Sequence, residues 1–281
     1  MDHVFPSVSI VVGVDGSDAA VCAAIWAMDE AMTRDIPLRL VHVISRHPDA
    51  SLHSHDLDPD FARAERLLHR AWTAVEATGE PVKLEMEILR GEPALLLIQA
   101  SRFAAMLCIG WTDTSHSSLT GLGSIASALS RTAHCTVAVI RGHPRASRVG
   151  RWIIARVDES TSSEAVLRQA VDEARLRRAP LLALTAEPGR QRPDPTGESD
   201  LAVRLRLERY LAQPSDEAGE ASVCSLPLGD GVLNYLADNA ELAQLVVVGT
   251  DDPRLLPESE MIGSRADAVL RNTNCSIMIV R

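Results

Sequence analysis

The chain holds 281 residues, room for two domains of ordinary size that each bury their own core. Its 28 Lys and Arg against 38 Asp and Glu give a net charge of -10, which argues against nonspecific binding to nucleic acid or to an anionic membrane surface. No apolar run approaches the roughly 18–20 residues of a membrane span and no basic region precedes the first apolar one, so a soluble cytoplasmic protein is expected.

In chain order, Ser9 to Val14 is a continuous run rich in β-branched residues, closed by Asp15-Gly16-Ser17, the pattern of a strand buried on both faces and followed by a tight turn. Ala24, Ala27, Met28 and Ala31 then form one apolar stripe on a helix that ends before Pro37. Leu38 to Ile44 reads as the second strand. A polar stretch follows to Asp60, with Asp58-Pro59 as a cap and first turn, before Ala64, Leu67, Leu68, Ala71 and Val75 recur at helical spacing. In the third strand, Val82 to Leu89, apolar residues alternate with Lys83, Glu85 and Glu87, which marks a sheet edge. Gly91 to Pro93 starts a third helix, Met106 to Gly110 is the fourth strand, Gly123-Ser124 opens a fourth helix, and Thr136 to Arg141 is the last strand. Strands alternating with helices predict a parallel sheet covered by helices on both faces.

The pattern then repeats. Asp15 recurs as Asp158, and the same offset carries Asp29-Glu30-Ala31 to Asp172-Glu173-Ala174, Arg34 to Arg177 and Pro37-Leu38 to Pro180-Leu181. An offset three residues shorter carries Gly123-Ser124 to Gly263-Ser264, Cys135 to Cys275 and Arg141 to Arg281. This is a duplicated α/β domain with altered loop lengths. The expected architecture is two tandem Rossmann-like, doubly wound domains of five parallel strands each, spanning 1–142 and 150–281 and joined by a linker at 143–149.

Ligands of open parallel sheets bind beyond the carboxyl ends of the strands, where the strand order reverses. Asp15, Val43 and Gly110 fall at such ends, and the helix start at Gly123-Ser124 offers free N–H groups and a positive dipole end to an anion. Asp15 is a candidate acceptor for a ribose or base, Val43 a packing surface for a base, and Gly123 with Ser124 a phosphate site. Taken singly, each also fits a plain structural role: turn residue, core residue, helix cap.

Together, the VVGVDGS opening, the LVHVI second strand and the series Gly110, Gly123-Ser124 and HCTVAVIR resemble the universal stress protein family, over most of the chain and in two copies. The family's nucleotide-binding members carry a glycine, two residues, a second glycine, nine residues and then Gly-Ser or Gly-Thr. Here Asp113 stands where the second glycine is expected. The resemblance implies ATP as ligand. Asp15, beside Gly16, and Val43 would meet the adenosine part, while Gly110, Gly123, Ser124 and the amide of Ile125 would approach ribose and phosphates. A carboxylate at Asp113 repels polyphosphate unless Mg²⁺ bridges the two. In the second copy Asp158, Gly249, Gly263 and Ser264 remain, but Glu159 replaces the Gly16 equivalent, Arg265 stands where Ile125 stood, and one extra residue follows Asp252. The resemblance also implies that the fifth strands of the two halves pair, making a pseudo-dimer within the chain, and a further homodimer is compatible with it.

Three function classes compete. The first is a nucleotide-binding regulatory protein of the stress response, acting on a protein partner that the sequence does not name. The second is a scaffold of the same fold that has lost its nucleotide and works through protein contacts, a reading favoured by Asp113 and Asp252. The third is an ATP-using enzyme, against which stands the lack of an SGGxDS-like loop, of HIGH or KMSKS elements and of an acid–base constellation; weak ATP hydrolysis is the most it implies, and no catalytic residue is assigned. His47, His53 and His55 near Asp49, Asp56 and Asp58 have the composition of a metal site without its spacing, so no metal site is assigned. His134-Cys135 recurs as Asn274-Cys275, which fits a small buried cysteine better than a catalytic dyad. The five cysteines form no CxxC pair and read as free thiols of a reducing compartment. Trp26, Trp72, Trp111 and Trp152 are scattered, without the basic interleaving that single-stranded nucleic acid needs.

Overall fold

The computed structural model describes residues 8–45, 59–111, 124–141, 151–157, 162–185, 223–227, 243–250 and 275–281. The chain divides into two compact units, one holding the described residues up to 141 and the other those from 151 onward. The first unit contains β1 (Ser9–Gly13), α1 (Asp18–Thr33), β2 (Leu38–Ser45), α2 (Pro59–Glu76), β3 (Leu84–Gly91), α3 (Pro93–Ala100), β4 (Ala104–Gly110), α4 (Ser124–Thr132) and β5 (Thr136–Ile140). Its strands pair in parallel in the order β3-β2-β1-β4-β5, so the chain turns one way from β1 and then crosses over to β4. The second unit contains β6 (Trp152–Val157), α5 (Ser163–Leu176), β7 (Leu181–Thr185), β8 (Val223–Pro227), β9 (Ala243–Gly249) and β10 (Ser276–Val280). Its parallel order is β10-β9-β6-β7-β8, the same topology strand for strand. No helix of the described residues is long and apolar enough to cross a membrane.

Successive strand residues point to opposite faces, so each central strand must be apolar at every position. Val11, Val41, Leu107, Ile109, Val137 and Val139 face one way and pack with Leu97 of α3 and with Ala126 and Leu129 of α4. α1 and α2 pack on one another and on the sheet as a second pair. From α1, Trp26, Met28 and five alanines are buried, the small residues letting helix and sheet approach closely. β3 lies at the edge, and its Met86 is 42% exposed while Glu87 reaches Arg39 of β2 at 3.4 Å. The strand begins at Leu84 and not at Val82, whose N–H bonds to the Glu80 carbonyl at 3.0 Å.

The repeat is explained by what it builds. Glu30 is 1% exposed and pairs with Arg34 one turn on; Glu173, also 1% exposed, pairs with Arg177 at 2.8 Å and accepts from Gln169 Nε2 at 3.1 Å. Both helices end in the same way. Asp35 and Arg178 take positive φ values of 51° and 48°. The N–H groups of Asp35 and Ile36 bond back to Met32 and Ala31, as those of Arg178 and Ala179 do to Arg175 and Ala174, which is a Schellman stop built without glycine. The carbonyls of Pro37 and Pro180 then accept from Ile10 and Ile153, each at 2.9 Å, setting the register of β1 on β2 and of β6 on β7.

The end of β4 touches the start of α1. A Cβ at Gly110 would lie 2.2 Å from the carbonyl carbon of Ala19 and 2.4 Å from the Ala20 nitrogen, both backbone atoms. In the second unit a Cβ at Gly249 would meet Ser162, the N-cap of α5, at 2.4 Å from Oγ. Gly110→Ala therefore forces backbone apart and is expected to destabilise the chain by about 1–3 kcal/mol, with Gly249→Ala milder because a hydroxyl can rotate away; urea unfolding midpoints test this order. Arg177→Ala strands a buried carboxylate and is expected to cost about 3–5 kcal/mol by the same measurement, against a smaller loss for the more exposed Arg34. Arg178→Gly relieves the left-handed conformation and is expected to raise stability by about 1 kcal/mol, with less gain at Asp35, since aspartate tolerates that conformation better.

Candidate functional site

β1 leaves the sheet at Gly13. One residue on, the Val14 N–H still donates to the Val41 carbonyl at 2.8 Å, while its own carbonyl bonds to His42 Nδ1 at 2.6 Å. A carbonyl only accepts, so His42 Nδ1 is the donor in this bond. The turn that follows is held by its own side chains. Asp15 Oδ1 accepts from the Ser17 N–H at 2.9 Å and from the Ser17 hydroxyl at 2.6 Å, and Ser17 Oγ accepts the Ala20 N–H at 3.1 Å as the N-cap of α1. Gly16 takes a φ of +89°, and a Cβ there would sit 2.6 Å from Leu67 of α2. From α2, Arg70 donates to the Gly16 carbonyl at 2.8 Å and pairs with Asp18, fastening the turn from outside.

A cavity of about 420 Å³ opens beyond the carboxyl ends of β1, β2, β4 and β5, at the point where the strand order reverses between β1 and β4. Its floor is apolar, with Val41, Val43, Leu97, Ile109 and Val139. Asp15, His42 and Ser45 bring polar atoms to one side, Gly110 and Trp111 end β4 beside it, and Ser124, Ile125 and Ala126 bring the start of α4. Among the described residues lining it, Asp15 carries the formal charge and no Lys or Arg is present. The start of α4 supplies the opposing partial positive charge, roughly half an elementary charge.

Of the residues singled out in the sequence, Asp15, Val43, Gly110, Ser124 and Ile125 therefore meet in one cleft. Gly16 does not line it, and its conformation and Leu67 account for the glycine. Gly110 lines it, although the missing side chain makes room for α1 and not for a ligand. Gly249 answers to the same packing need in the second unit. Asp113, Gly123, Asp158, Gly263 and Ser264 lie outside the described residues, as do His47, His53 and His55.

Two lining residues carried no sequence signal as ligand contacts. His42 lies inside a strand, and its hydrogen bond to the Val14 carbonyl forms only once β1 and β2 are paired. Trp111 extends β4 by donating its N–H to Ile140 at 2.9 Å, and the guanidinium of Arg141 lies 3.9 Å from its ring centroid. Its indole Nε1 is buried and has no hydrogen-bond partner among the described residues. The second unit holds Thr250 in the same place, with its N–H donating to Val280 at 3.1 Å. His134 and Cys135 are not at this cleft: the His134 N–H donates to Ser101 Oγ at 2.8 Å, and Cys135 and Cys275 are buried.

Comparison with known proteins agrees with this architecture. The model of the universal stress protein family matches residues 8–141 and again 151–281. The universal stress protein Rv2624c of Mycobacterium tuberculosis is 39% identical over 276 residues, covering 97% of this chain and 96% of that protein. Among solved structures, a universal stress protein from Archaeoglobus fulgidus DSM 4304 superposes with a TM-score of 0.69 at 16% identity, covering 97% of this chain and 96% of that one, which speaks for the fold. A universal stress protein in complex with cAMP matches 47% of this chain and 96% of its own, with 21% identity and a TM-score of 0.39. With both halves matched by the family model and a relative aligned nearly end to end, the chain belongs to the universal stress protein family.

Proposed function

We propose that the chain is a regulatory protein that binds an adenine nucleotide in the cleft of its first unit and passes the bound state on to a protein partner. The observation that carries this reading is the convergence of Asp15, Val43, Gly110, Ser124 and Ile125 on one cavity at the switch point of the sheet. Its volume of about 420 Å³ falls within the usual range for small-ligand sites, and its apolar floor with few polar groups suits a base. In this reading the base packs over Val43. Asp15 keeps Oδ1 for Ser17 and turns Oδ2 to a ribose hydroxyl or a base N–H, and His42 Nε2 offers a further acceptor where the ring is neutral. The free N–H groups at the start of α4 take a phosphate.

The family resemblance implies ATP, with Mg²⁺ joining its phosphates to Asp113, whereas the cleft's own residues argue for an adenine nucleotide without fixing its number of phosphates. The reading assigns binding roles and no catalytic one. The second unit, with Glu159 for the Gly16 equivalent, Arg265 for Ile125 and an extra residue after Asp252, is left without nucleotide, so the expected stoichiometry is one per chain. Pairing of the fifth strands within the chain and a homodimer beyond it belong to the same reading, as does a cytoplasmic location.

Native mass spectrometry and calorimetric titration with AMP, ADP and ATP test the proposal. One adenine nucleotide per chain is expected. Asp15→Asn retains the oxygen that Ser17 needs but replaces the second acceptor with an amide donor; it is expected to leave the unfolding midpoint unchanged and to weaken binding about 10- to 100-fold, the worth of a hydrogen bond to a charged group. A wild-type chain that carries no nucleotide and takes none up at millimolar concentration would replace this reading with that of a nucleotide-free scaffold.

A further inference from the structure

We infer that Trp111 limits how many phosphates the cleft accepts, so that it takes a nucleoside monophosphate in preference to a triphosphate; this rests on the adenine-nucleotide reading above. β2 and β4 are separated by β1 alone, and neighbouring strands lie about 4.8 Å apart, so Val43 and Trp111 stand roughly 10 Å from each other, about the length of a nucleoside. A base over Val43 then brings its sugar and first phosphate to Trp111 and the start of α4. Trp111 lines that end of the cleft. Trp111 packs against the cluster of Leu107, Ile109 and Val139, and Arg141 holds the other side of its ring at 3.9 Å, so swinging it aside would break both contacts.

Charge acts in the same direction. Each added phosphate brings negative charge to a site whose described lining contains the Asp15 carboxylate and no Lys or Arg, and the partial charge of one helix start balances one phosphate far better than three. Arg141 does not line the cleft, and the Trp111 ring lies over its guanidinium. The second unit, with Thr250 in this position, lacks the block.

Calorimetric titration of the full chain with AMP and with ATP, each with and without magnesium, tests the inference. The wild type is expected to bind AMP at least about tenfold more tightly than ATP under both conditions. Trp111→Thr, which installs the residue found at position 250, is expected to bring the two affinities within about threefold of each other, with Trp111→Phe between. Tighter binding of ATP than of AMP by the wild type overturns the inference, and this comparison needs no variant to fold. An AMP-to-ATP ratio that a folded Trp111→Thr leaves unchanged overturns it too. A wild type that binds neither nucleotide removes the adenine-nucleotide reading, and this inference with it.

Discussion

The contact between the first turn of α1 and the end of β4 is the constraint on which the site depends. Backbone meets backbone there, with the Ala19 carbonyl carbon 2.2 Å from where a Gly110 Cβ would stand. Because no side chain fits, α1 seats low over the switch point and its N-cap Ser17 falls beside the cleft. Ser17 in turn fixes Asp15, whose Oδ1 it occupies twice. The alternation along β4 then sends Trp111 to the opposite face from the Gly110 contact, among Ile109 and the residues of α3 and α4. One steric exclusion thus fixes the helix, the turn and the wall of the cleft.

The duplication separates two kinds of requirement. Features that hold the fold recur in both units: the Glu30–Arg34 and Glu173–Arg177 pairs, the left-handed helix stops at Asp35 and Arg178, and the glycines that admit a helix start. One position lining the cleft differs, since Thr250 corresponds in the repeat to Trp111. A buried carboxylate without its arginine destabilises whichever unit contains it, so both copies keep the pair.

Much of this was legible in the sequence, for identifiable reasons. A parallel sheet buries its strands on both faces, so the apolar runs at Ser9, Leu38 and Met106 announced them, and the alternation of Glu85 and Glu87 announced the edge. Asp15 and Val43 were readable as residues of the cleft because they fall at strand ends beside the switch point. The reason for Gly110 was not, since a glycine after a strand suits a ligand and a neighbouring helix equally well. The helix stops at Asp35 and Arg178 were hidden because neither position holds the glycine that marks a left-handed cap. Trp111 was hidden because its environment comes from Ile140 and Arg141, which meet it only once β4 and β5 are paired.

The composition of β3 bears on how the molecule behaves among its own copies. An open sheet ends in a row of unpaired backbone groups, a template on which another strand can be laid. β3 carries Glu85 and Glu87 along one side of that row, with Lys83 before them and Arg90 after. A second copy arriving edge to edge would bring the same acidic pair, and like charges set across from one another repel. Charged side chains along this edge therefore work against growth of the sheet there.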